Sequence, residues 1–295
     1  MATTRRSSTA AAATPKPGTP EYFEAHYNTS LRVPEFHAIQ AHWAQASVEA
    51  RHRQPRMRTL AYGNQPGETL DFFPAESADA PLFVFMHGGY WRALNKSDFS
   101  WVAPELVKQG VSVAVVDYAL APANPIEGIV RQMLAAHAWL YRHADDLRID
   151  RDRIVTSGHS AGGHLTAMMI AARWPQWGED LPRDLIHGGL AISGLYDLDP
   201  VSKAPFLASL ALTPERVEKL SPAWMSPGSH ARLITAVGGD ESGEFKRQTA
   251  LIGERWPDNL MRDLPLPGLN HMTACDGFAE PGSALLNAAL DLLQD

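Results

Sequence analysis

One cysteine, Cys275, is all that 295 residues carry, so no internal disulfide can form and a reducing compartment is the easier setting. No apolar stretch approaches the roughly eighteen residues that a membrane span needs. Basic blocks are missing too, and a net charge of -7 argues against nucleic acid or an anionic membrane as the main partner. Metal spacings such as HExxH and CxxC do not occur, and the twelve histidines are scattered, so no metal site is expected. Neither GxGxxG nor GxxxxGK[ST] occurs, which leaves no phosphate-binding loop and no expected cofactor. Arg5 and Arg6 could open a twin-arginine export signal, but small and polar residues follow where a leucine-rich core would be needed. Residues 1–20, rich in Ala, Thr, Ser and Pro, are therefore expected to be a disordered tail on a cytoplasmic protein.

What the chain does have is an ordinary globular balance, 45% apolar and 20% charged residues, enough to build a sizeable core. Residues 21–53 mix aromatic and polar side chains and predict one or two helices broken at Pro34. Arg56–Tyr62 and Glu68–Phe73 predict an antiparallel pair at a sheet edge. Leu82–His87 and Val111–Asp117 are continuous apolar runs, the pattern of central parallel strands covered on both faces. A helix over Ser97–Gln109 is expected, capped by Ser97 and stopped at Gly110, and a longer one shows its apolar face from Ile126 to Tyr141. Strand signals return at Gly188–Ser193, Arg232–Gly238 and Leu260–Leu266, with helices near Glu244–Arg255 and Phe278–Leu293. This alternation predicts one α/β domain over residues 21–295: a doubly wound, mostly parallel sheet with helices on both faces. Residues 195–225, with Pro200, Pro205, Pro214 and Pro222, interrupt the alternation and read either as a cap excursion over the active face or as an irregular connection.

The chemistry centres on GHSAGG, Gly158–Gly163, lying between a strand ending in Ile154–Thr156 and a helix marked by Leu165, Met168, Met169 and Ala172. In that setting Gly-x-Ser-x-Gly forms a sharp elbow that exposes Ser160 as a nucleophile. A serine hydroxyl needs a base and a group to orient that base. His271 follows the last strand signal and is the only histidine beyond the Arg232–Gly238 strand. It is the expected base. The acid should lie in the GGDESGEF loop, where Asp240 and Glu241 are both candidates that spacing alone does not separate. HGGYW, His87–Trp91, follows another strand, so backbone N–H groups of Gly88 and Gly89, with that of Ala161, are the expected oxyanion hole. His164, beside the elbow, is expected to support it by packing. Tyr90, Trp91 and His159 are the candidate substrate contacts, and Tyr22, Phe23 or Tyr27 could add aromatic surface for an aryl leaving group or could simply be core.

With HGGYW, GHSAGGHL, SGLYDLDP, SPAW and ESGEFKRQT in hand, the chain resembles the kynurenine formamidase (arylformamidase) group of α/β-hydrolases, within the hormone-sensitive-lipase-like esterases. The similarity runs from about Tyr22 to the C-terminus. It implies an α/β-hydrolase fold, favours Glu241 over Asp240 as the acid, and points to hydrolysis of N-formyl-L-kynurenine to formate and kynurenine in tryptophan breakdown. The expected partner is thus a small aryl formamide or ester, and self-association as a homodimer is compatible with the sequence. A carboxylesterase acting on short acyl esters is the alternative, and a catalytically silent binding protein on the same fold is a third reading.

Overall fold

The computed structural model describes residues 15–294. Most of the tail expected over residues 1–20 lies outside the described residues, and the first helix already begins at Pro20, capped by the Thr19 hydroxyl. Among the described residues eight strands form one sheet: β1 (Arg58–Ala61), β2 (Thr69–Phe73), β3 (Ala80–Met86), β4 (Ser112–Val116), β5 (Ile149–His159), β6 (Gly188–Ile192), β7 (Arg232–Gly238) and β8 (Leu260–Leu266). Their spatial order is β1-β2-β4-β3-β5-β6-β7-β8. The expected edge pair is present, since β1 pairs antiparallel with β2 and β2 antiparallel with β4, while every other neighbour is parallel. This is the mostly parallel sheet that the apolar runs and alternation predicted, in the α/β-hydrolase order that the resemblance implied.

Successive side chains of a strand point to opposite faces, so each central strand feeds two cores. On β3, Leu82, Val84 and Met86 join the layer formed with helices Ile126–Arg142 and Ala161–Ala171. Phe83 and Phe85 join the other layer, with helices Ala103–Lys108 and Ala284–Leu293. All five are fully buried, at roughly 1.5–3 kcal/mol of transfer free energy each. A one-residue slip of β3 would exchange its two faces, so this alternation fixes the register. That register sets Met86 opposite Gly158 on β5 and brings the segments following both strands side by side at the same sheet end.

Several element boundaries differ from expectation for local reasons. The N-terminal segment forms three helices, α1 (Pro20–Tyr27), α2 (Thr29–Arg32) and α3 (Phe36–Arg53), because the chain turns extended at Asn28 as well as near Pro34. The helix expected from Ser97 is two 3-10 turns, Lys96–Asp98 and Ser100–Val102, followed by Ala103–Lys108; the cap is Asn95, whose side chain accepts from Ser97 N. Phe278 sits in a 3-10 segment, and the last helix starts at Ala284 after the Ser283 hydroxyl caps it. Residues 195–225 carry short helical pieces, Leu198–Ser202, Pro205–Leu210, Pro214–Leu220 and Pro222–Trp224. No helix among the described residues is long and apolar enough to cross a membrane.

Candidate active site

Ser160 lies between β5 and helix Ala161–Ala171 with φ 58° and ψ -115°, backbone geometry that a non-glycine residue adopts only when its surroundings impose it. The imposition is visible on both sides. Ser160 N donates to Ile192 O at 2.8 Å, and the glycines of the motif let the turn press against β3. A Cβ on Gly162 would lie 2.0 Å from Met86 O, and one on Gly158 would lie 2.4 Å from Gly162 C. Any other residue at either position would push the elbow off the neighbouring strand.

The HGGYW loop runs alongside. Gly89, Tyr90 and Trp91 all have positive φ, at 99°, 51° and 58°, so the chain makes a left-handed curl directly after β3. Gly88 O accepts from His87 Nδ1 at 2.8 Å, and the Tyr118 hydroxyl donates to His87 O at 2.9 Å. Because the peptide unit is planar and trans, a Gly88 carbonyl turned toward His87 turns the Gly89 N–H the opposite way. A Cβ on Gly88 would sit 3.3 Å from Ser160 Cβ, which measures how closely the loop approaches the serine. The backbone N–H groups of Gly88, Gly89 and Ala161 donate to no acceptor among the described residues, and that of Ala161 belongs to the first turn of a helix, where N–H groups point outward unpaired.

His271 Nδ1 lies 2.6 Å from Glu241 Oε2, and both side chains are almost wholly buried. The other carboxylate oxygen, Oε1, accepts from Gly238 N at 2.7 Å and from the Ser193 hydroxyl at 2.5 Å. With two donors on one oxygen, an ionised Glu241 requires His271 to donate from Nδ1, which leaves Nε2 as the lone-pair nitrogen. The imidazole is flanked by Phe245, ring centroid 4.1 Å away, and by His159 at 4.6 Å. Asp240, one position earlier, is exposed, and its backbone N bonds Leu269 O. The structure therefore puts Glu241, not Asp240, against the imidazole. Ser193 was not foreseen from sequence; its one signal was its place at the start of SGLYDLDP, directly after a strand.

A cavity of about 360 Å³ opens over these groups, lined by Ser160, His271, Gly89, Tyr90 and His159. His159 Nε2 lies 2.8 Å from His271 O, and burial pushes its pKa well below the ordinary imidazole value, so it is neutral. Tyr90 donates its hydroxyl to Tyr27 O at 2.5 Å, and burial pushes that phenol well up, so it stays protonated. Trp91, expected among the substrate contacts, is fully buried and meets His164 edge-on at 5.0 Å; it does not line the cavity. His164 itself is buried behind the elbow, Nε2 2.8 Å from Leu220 O. Tyr22, Phe23 and Tyr27 do not line the cavity either. Phe23 and Tyr27 are core, while the Tyr22 and Tyr27 hydroxyls bond Glu244. The N-terminal segment still supplies much of the wall, through Asn28, Thr29, Phe36, His37, Gln40 and Trp43, which sequence reasoning missed because nothing local says which helix faces will meet the sheet end. Of residues 195–225 only Phe206 reaches the cavity, with its backbone N donating to Glu24.

Comparison with known proteins adds to this geometry. Kynurenine formamidase of Danio rerio is 31% identical over 242 residues, covering 77% of this chain and 79% of that protein. The chain belongs to the kynurenine formamidase family of α/β-hydrolases. Kynurenine formamidase of Salmo salar is likewise 31% identical, covering 70% of each chain. Residues 70–175 match the family described as BD-FAE. Among solved structures, a protein of Silicibacter sp. tm1040 provisionally described as a thioesterase has a TM-score of 0.82 at 28% identity, covering 91% of this chain and 98% of that one. Kinship with kynurenine formamidases supports an enzyme of the α/β-hydrolase type acting on a small molecule. The arrangement offers what such chemistry needs: a strained hydroxyl, an imidazole with one nitrogen committed to a carboxylate, and unpaired backbone N–H groups beside them.

Proposed function

We propose that the protein is a serine hydrolase that removes a formyl group from an aryl amine, with N-formylkynurenine as the leading substrate. The observation that carries this reading is the Glu241–His271 pair, in which two fixed donors on Glu241 Oε1 orient Oε2 toward Nδ1 and leave Nε2 free to act as a base. Ser160 gives its proton to His271 Nε2 as Oγ attacks the formyl carbon. The oxygen that gains charge is held by N–H groups of Gly88, Gly89 and Ala161, each donor contributing roughly 3 kcal/mol in the transition state. His271 then returns the proton to the departing aniline nitrogen, which leaves as the free amine. Water, deprotonated by the same imidazole, attacks the formyl-serine; as the C–Oγ bond breaks, the imidazolium returns the proton to Ser160 and formate is released. No other residue must carry charge through these steps, and the names of the family relatives support the formyl substrate.

A second reading is an esterase acting on short acyl esters, favoured by the apolar share of the lining, which includes Phe36, Leu94, Phe206 and Met272. The deciding experiment compares turnover of N-formylkynurenine and a nitrophenyl acetate, with fluorophosphonate labelling mapped by mass spectrometry. Formamide turnover and a single label on Ser160 are expected, both lost in Ser160→Ala. Ester turnover alone would select the second reading. A label elsewhere, or none, would overturn the serine mechanism.

A further inference from the structure

The cavity has an unusual charge inventory for a chain of net charge -7. Among the described residues no aspartate or glutamate lines it, and the only lining side chain with a fixed charge is Arg92, directly after HGGYW. Arg92 is half-buried and held in place: Nη1 donates to Phe206 O at 2.6 Å and lies 3.4 Å from Ser209 Oγ, and its guanidinium stands 5.4 Å over the Phe206 ring. Those contacts occupy one nitrogen of the fork. Nε and Nη2 donate to nothing among the described residues, although a guanidinium offers five N–H groups. The open edge is the one that matches a carboxylate in bidentate geometry.

We propose that Arg92 is a specificity-determining residue that binds a carboxylate carried on the leaving-group side of the substrate, and so selects carboxylate-bearing aryl formamides over those without one. The inference rests on the formamide reading above. A formyl group bears only hydrogen and has nowhere to carry a carboxylate, so a carboxylate recognised in this cavity must belong to the amine portion. Anchoring by Phe206 O fixes the fork before substrate arrives, which lowers the ordering cost of binding. The loop from Gly88 to Arg92 carries two of the three proposed oxyanion donors and this guanidinium, so one loop would hold both ends of the substrate.

The test pairs two formamides with the same aryl ketone, N-formylkynurenine and 2-formamidoacetophenone, which lacks the amino-acid portion. Arg92→Met is expected to raise KM for N-formylkynurenine by about 10- to 100-fold, the range for a lost charge-assisted pair, with kcat largely kept. Its kcat/KM for the neutral substrate should change less than about threefold. Arg92→Lys, which keeps the charge without the fork, should fall between. An equal loss on both substrates would mean that Arg92 only props Phe206, and no change on either would mean that it touches no substrate; both overturn the proposal. A readout independent of turnover is calorimetric binding of kynurenine and of its primary amide to Ser160→Ala, with and without Arg92→Met. Preference for the acid that disappears with Arg92 supports the proposal even if the protein cleaves no formamide, in which case only the reading of the reaction fails. Equal affinity for acid and amide overturns the Arg92 proposal and leaves that reading untouched.

Discussion

Replacing Glu241 by Gln tests the electrostatic argument without changing shape. In the native pair Oε1 accepts from Gly238 N–H and from the Ser193 hydroxyl, and Oε2 accepts from His271 Nδ1. A backbone N–H cannot reverse its role, so the amide oxygen of Gln must stay on the Gly238 side. The NH2 group then faces Nδ1, which must become an acceptor, and the proton moves to Nε2. An imidazole protonated at Nε2 cannot take the Ser160 proton. Loss of the correct tautomer in a related arrangement of serine, histidine and carboxylate lowers kcat by about 10⁴-fold, close to 5.5 kcal/mol. A fall in kcat of about 10³- to 10⁴-fold is therefore expected for Glu241→Gln, with KM and the thermal midpoint little changed. Asp240→Asn, an exposed position, should stay within about twofold. Steady-state kinetics with a formamide or ester substrate measures both. A fall under about tenfold for Glu241→Gln, or an equal loss in Asp240→Asn, would refute the reasoning.

Two further outcomes follow from the same structure. Gly89→Ala should lower kcat by about 10²-fold with a smaller effect on KM, because Gly89 has φ 99° and a Cβ there would lie 2.2 Å from Ala93 O, displacing a proposed oxyanion donor; unchanged kcat would exclude that role. Burial pushes His137 and His164 down to about 4, whereas in the unfolded chain they titrate near 6.5. The unfolded state therefore binds more protons between these values, so their contribution is complete above about pH 6.5 and is lost as pH falls toward 4, about 2 kcal/mol per histidine by pH 5. Urea unfolding at pH 7.5 and pH 5.0 should show that loss, and His164→Gln should shallow the slope by up to one proton; equal stability at the two pH values would contradict it.

The fold was legible because its central strands are apolar runs and helices such as Ile126–Arg142 carry regular stripes. β7 and β8 occupy the segments that pattern alone indicates. The elbow was equally readable, since strand, Gly-x-Ser-x-Gly and helix follow one another without a gap. What pattern could not supply was orientation. Trp91 turns into the core, not the cavity, because three consecutive left-handed residues rotate the loop after Gly88, and nothing in the letters HGGYW encodes that curl. Glu241 and Asp240 were inseparable by spacing alone because the choice depends on the turn that bonds Glu241 N to Gly238 O and folds the longer side chain back. The wall built by α2 and α3 escaped for a different reason. Their faces are weakly amphipathic and meet the sheet end only through contacts far away in sequence.

A contact of α1, the helix just before that wall, bears on events during synthesis. The Tyr27 hydroxyl donates to Glu244, 217 positions later, while the Tyr27 carbonyl receives Tyr90. Helix α1 therefore gains this contact only after the segment bearing Glu244 has emerged, whereas α3 can already rest on residues 96–102 through Trp43, Ser47 and Arg51. A nascent chain halted before that point could pair its first strands, yet it would have no finished chamber above them. The proposed catalytic groups would thus come together late in translation, once Glu241 and His271, in the last-made third of the polypeptide, meet the serine made before them.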